Sequence, residues 1–135
     1  MSTTYSCRAY SWIAPRTGTI SLAFQMRHDP SYWYLDDVSV YNRGTQMLIN
    51  GGFETSSLTN SWTVSTPFGV CGSSGAAITT SSVRSGSFSL RDGSTGCADQ
   101  VSQTFGIISG EVYTISFWIL MGGSGSGISL SVLLL

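Results

Sequence analysis

The chain has 135 residues, the size of one domain, and a chain this long buries roughly two-thirds of its extended surface. Six basic and seven acidic side chains leave a formal net charge of −1, so there is no basic footprint for nucleic acid and no polybasic patch for a membrane surface. No apolar run reaches the roughly 20 residues that a spanning helix requires, and MSTTYSCRAY shows no basic-then-apolar leader pattern.

Helical periodicity is nearly absent, while apolar and polar residues alternate repeatedly between Gly/Ser turns. In TGTISLAFQMR, Ile20, Leu22, Phe24 and Met26 fall on one face and Ser21, Ala23, Gln25 and Arg27 on the other. RHDPS reads as a turn that His28 and Asp29 punctuate before Pro30. Next come the aromatic cluster Tyr32, Trp33, Tyr34 and the strand-like LDDVSV. SGSFSLRDG gives a short strand around Phe88 and Leu90, and VSQTF another from Val101 to Phe105. EVYTISFWILM sets Tyr113, Ile115, Phe117 and Ile119 against Thr114, Ser116 and Trp118, and ISLSVLLL forms a last strand after the flexible GGSGSG. The pattern predicts an all-β sandwich or barrel.

Cys71 and Cys97 sit in loop-like surroundings, GVCGSSG and STGCADQ. A bridge between them closes a loop of about 25 residues and adds roughly 3 kcal/mol in an oxidising compartment. Free thiols in a cytosolic chain are the alternative, and Cys7 is left over in either case. One histidine, His28, makes a Cys/His zinc site a poor reading. Catalytic signatures are missing too: there is no Gly-x-Ser-x-Gly elbow, no phosphate loop and no dinucleotide fingerprint. Asp36 and Asp37 are the one dense acidic pair, and neighbours on a strand do not face each other as a glycosidase needs. The expectation is therefore a protein that is not an enzyme.

SYWYLDDVSVYNRGTQMLINGGFETSSLTNSW places an ending strand before a beginning one. Residues 1–42 are tail-like, 43–47 a linker and 48–135 head-like. Either two tandem modules meet here, or one circularly permuted module spans 1–135. The second is favoured, because a tail of three or so strands cannot cover its own apolar faces.

Trp33, LDDVSV (35–40), NGGFE (50–54) with Trp62, SGSFSLRDG, SQTF (102–105) and GEVYTISFW (110–118) together resemble carbohydrate-binding modules of the family 4/9/16/22 type. Those have the galactose-binding-like β-jelly-roll fold, with NGGFE first and LDDV last; here the last element stands first. The resemblance implies noncatalytic binding of a polysaccharide or glycoprotein glycan, in an extracellular or secreted module with neighbours in a longer chain. It also implies a structural Ca²⁺ held by Glu54 and by Asp36 or Asp37. Adjacent aspartates on a strand point opposite ways, so one of the two is expected to face the ion, with carbonyls of the NGG and Ser85-Gly86-Ser87 turns completing the shell.

The expected sugar face has Trp118 beside Thr114 and Ser116, with Gln25 and Arg27 from the corresponding face of another strand. Tyr32 and Tyr34 form a second cluster. A flat indole beside amide and guanidinium donors suits a pyranose. Trp33 and Trp62 read as core or rim residues. The rival expectation is a structural or adhesive repeat without a sugar site.

Overall fold

The computed structural model describes residues 4–72 and 75–135; residues 1–3 and 73–74 lie outside the described residues. Ten strands run in chain order: β1 (Ser6–Ile13), β2 (Gly18–Asp29), β3 (Trp33–Asn42), β4 (Thr45–Gln46), β5 (Thr63–Ser65), β6 (Ala77–Thr79), β7 (Ser89–Asp92), β8 (Asp99–Ile107), β9 (Val112–Met121) and β10 (Gly127–Leu134). They form two antiparallel sheets packed as a β-sandwich. The six-stranded sheet has the order β1-β9-β3-β7-β6, with β4 hairpinned onto β3, and the four-stranded sheet has the order β10-β2-β8-β5. Among the described residues, no helix is long and apolar enough to cross a membrane.

The alternation read in the sequence fills the layer between the sheets. Leu22, Phe24 and Met26 of β2 and Val101 and Phe105 of β8 point in from one side. Leu35 and Val40 of β3, Leu90 of β7 and Ile115 and Phe117 of β9 point in from the other, all buried. Phe24 and Phe117 meet edge to face across the layer, with ring centroids 5.1 Å apart. Burial of side chains this large contributes about 2 kcal/mol each, which drives the two sheets together.

Every long strand of residues 1–42 pairs with a strand of residues 48–135. β1 and β3 flank β9 on both sides, and β2 lies between β8 and β10. The two stretches therefore share both sheets and one core. The linker is itself structured: Arg43 and Gly44, at φ 51° and 78°, make a tight hairpin that pairs Asn42 with Thr45. Cys71 is bonded to Cys97 with Cα atoms 5.6 Å apart, and Cys7 is a free, exposed thiol.

One local expectation changes. RHDPS is not wholly a turn, because β2 runs through His28, which is fully buried. The His28 ring accepts the Ser31 N–H at Nδ1 and, as the matching tautomer, donates from Nε2 to the Gly123 carbonyl at 3.0 Å. Residues 6–13, which show no clean alternation, form a full strand. As an edge strand beside β9, β1 can leave Tyr10 and Ile13 exposed.

Candidate functional site

The site grows from the seam between β3 and the NGGFE turn. Asn50 and Phe53 adopt left-handed backbone conformations, and the Asn50 side chain bonds Thr55 and Ser57, so the turn is held from within. Phe53 then drops into the core against Trp62, ring centroids 5.6 Å apart, and the Trp62 indole N–H donates to the Asn50 carbonyl. Both tryptophans expected in the core or at its rim are there: Trp62 is buried, and half-buried Trp33 donates to the carbonyls of Arg27 and Ser129.

Three carboxylates gather along the seam, and all point at the turn formed by residues 84–88. Asp36 Oδ2 accepts the backbone N–H groups of Arg84 and Ser85, at 3.0 and 3.2 Å. Asp37 Oδ2 accepts the Ser85 hydroxyl at 2.6 Å and the Arg84 guanidinium at 3.1 Å. Glu54 accepts the backbone N–H groups of Ser87 and Phe88, at 2.9 and 3.0 Å. Gly86, at φ 67°, is required here, since a Cβ would collide with the Glu54 carboxylate. Burial pushes the Asp36 carboxyl up to about 6, against the pull of the N–H donors.

The expectation that only one aspartate faces the seam is overturned. A register shift between Asp36 and Ser39, with Asp37 at φ 49°, is a β-bulge, and a bulge suspends strand alternation so that both side chains reach the same turn. The expected Ca²⁺ also fits these residues poorly. The groups that approach the carboxylates are N–H and O–H donors, which present positive hydrogens where a cation would need further oxygens. Among the described residues, no three or more His, Cys, Asp or Glu side chains are gathered so as to hold a metal.

Beside the seam lies a groove of about 540 Å³ on the outer face of the six-stranded sheet. Trp118, Tyr41, Gln46, Asn50, Arg84 and Ser116 line it. Its floor follows from strand pairing, which sets Trp118 beside Asp36 and Ser116 beside Ser39, whose hydroxyls bond at 2.7 Å. The Arg84 guanidinium lies over the Trp118 indole, 3.9 Å from the ring centre, while it also pairs with Asp37. Tyr41 stays exposed. Gln46, which lines the groove, spends its carbonyl oxygen on the N–H groups of Val40 and Leu48, so its amide N–H₂ is the polar group it has left to offer.

The five expected sugar-contacting residues do not converge. Gln25 and Arg27 belong to β2 of the other sheet, so they lie on the opposite outer face from Trp118. There Gln25 bonds Gln100 across the strands at 2.9 Å, and Arg27 pairs with Asp29 at 2.8 Å, beside a smaller hollow lined by Phe68 and Ser129. Tyr32 and Tyr34 pack together at 6.2 Å, and Arg91 covers the Tyr32 ring; neither tyrosine lines the groove. Alternation gives the face of a strand, but which sheet each strand joins depends on long-range pairing, and this is why the set was split. Arg84, Gln46 and Tyr41 were missed: Arg84 stands just before the Ser85-Gly86-Ser87 turn, Gln46 falls in the stretch read as a linker, and Tyr41 ends the tail-like segment.

Compared with known protein families, curated proteins and solved structures, the chain matches none.

Proposed function

We propose that the chain is a noncatalytic, extracellular glycan-binding module of galactose-binding-like jelly-roll type. The groove at Trp118 is its binding face. The observation that carries this reading is the joining of two aromatic side chains, Trp118 and Tyr41, to planar donors from Arg84 and Gln46 in one open groove of about 540 Å³. Sugar hydroxyls take bidentate hydrogen bonds from guanidinium and amide groups while C–H faces rest on aromatic carbon. The Cys71–Cys97 bond supports an oxidising compartment. The sequence resemblance supports the fold type and binding without turnover.

A second reading, a structural or adhesive repeat, is favoured by one contact: Arg84 already covers a face of the Trp118 indole. Affinity electrophoresis through gels that contain neutral and acidic polysaccharides separates the two. Retardation by at least one polysaccharide, lost in Trp118→Ala at unchanged melting temperature, is the expected result. A wild-type protein that migrates freely in every gel overturns the glycan reading and leaves the repeat.

A further inference from the structure

Among the described residues five strands have a free side, and four of them are guarded. β4 is only two residues long, and β5 and β6 only three. β1 carries Arg8 on its core-facing side, opposite Phe117, and an inward charge at an edge discourages pairing with another chain. β10 has none of these devices: over eight residues, GISLSVLL, it carries no charge, no proline and no bulge.

The free edge can be placed by hydrogen-bond parity. Ser21 and Leu135 exchange both backbone hydrogen bonds, each at 2.9 Å. In an antiparallel pair such exchange recurs at every second residue, so Ser129, Ser131 and Leu133 bond to β2. The N–H and C=O groups of Leu130, Val132 and Leu134 consequently face outward along the edge. Their side chains point to the core side, where with Tyr10, Trp12 and Arg8 they line a slot of about 490 Å³ between the edges of the two sheets. These apolar groups are only half-buried.

We propose that β10 pairs antiparallel with β10 of a second copy, which joins two four-stranded sheets into one continuous sheet. A two-fold axis at Val132 sets Leu130 against Leu134 of the second copy, so the uncharged edge meets its own apolar row on the core-facing side. No charge on this edge selects an oppositely charged partner. The added strand satisfies the outward backbone groups of Leu130, Val132 and Leu134 and extends the floor of the slot beneath Tyr10.

Sedimentation velocity over a concentration series, with the intact disulfide-bonded chain, tests the proposal. The wild type is expected to dimerise as concentration rises. Val132→Pro removes an N–H that faces outward rather than toward β2, so it is expected to weaken the dimer at least about tenfold while β2 pairing and the circular dichroism spectrum are kept. Val132→Lys adds a charge at the same edge, is expected to do the same, and decides the matter if the proline variant fails to fold. A wild type that is monomeric throughout overturns the proposal. So does a dimer that survives Val132→Lys, or an open-ended series of larger species.

Discussion

Val38 in β3 donates its N–H to the carbonyl of Gly51 at 2.9 Å, so the strand that ends the first part of the chain is stitched to the turn that begins the second. The approach is close enough that a Cβ at position 51 would overlap the Val38 carbonyl oxygen. Backbone on both sides leaves little room to adjust. Gly51→Ala is expected to cost about 3 kcal/mol in urea unfolding, as overpacking at a rigid contact does. A loss below about 0.5 kcal/mol, the usual range of surface substitutions, speaks against this contact.

Asp92 of β7 and Asp99 of β8 form a carboxyl pair that bridges the two sheets, with both residues buried. Asp92 Oδ1 accepts the Ser94 N–H, whereas among the described residues Asp92 Oδ2 and Asp99 Oδ1 have no hydrogen-bond partner other than each other. Arg27 is paired with Asp29, and the His28 ring is spent on Ser31 and Gly123. Burial, then the hydrogen bond and charge of Asp99, pushes the Asp92 carboxyl up to about 9. The folded chain thus holds a proton that the unfolded chain releases near pH 4, and stability must fall as pH rises from about 4 to about 9. The expected slope is on the order of 1 kcal/mol per pH unit, with Asp36 adding to it below about pH 6. Asp92→Asn keeps a donor toward Asp99 and is expected to melt higher than the wild type at pH 8 and to flatten the profile. Equal pH profiles for the two proteins would show that the pair holds no proton.

The Cys71–Cys97 bond closes a loop of 26 residues' separation and ties the 66–72 loop to the start of β8. Reduction, or Cys71→Ser with Cys97→Ser, is expected to lower unfolding free energy by about 3 kcal/mol. Thiol counting before and after reduction checks the starting state: one free thiol, Cys7, in the native chain and three after reduction.

At the seam, N–H and O–H donors hold Glu54, Asp36 and Asp37. EDTA and millimolar Ca²⁺ are therefore expected to leave the melting temperature unchanged, while Glu54→Ala lowers stability by less than about 1 kcal/mol, because water can reach the two exposed N–H groups it leaves. A calcium-dependent rise in melting temperature that Glu54→Ala abolishes would falsify this account of the seam.

Much of the architecture is readable from local chemistry. Period-two patterns mark β2, β8, β9 and β10 within a residue or two, and their apolar faces are the ones that meet in the core. What escaped depends on contacts remote in sequence. β1 is a strand because β9 offers it an edge, and its own pattern is obscured by the exposure of that edge. The bulge at Asp37 broke the alternation on which the single-ligand reading rested. Trp118 stands on the outward polar face as its neighbours implied, yet Gln25 and Arg27 joined the other sheet, a choice no local pattern encodes. Asp92 and Asp99 lie in SGSFSLRDG and STGCADQ, where nothing local marks them as a buried pair.

The shared interior is tested most directly by nuclear Overhauser contacts between Phe24 and Val101, cross-strand partners from the two parts of the chain. A uniformly labelled sample should show them strongly, and an isotope-filtered mixture of labelled and unlabelled protein, which passes only contacts between molecules, should not. Contacts seen only through the filter, or in neither sample, would mean that the early strands fold onto another molecule or onto nothing.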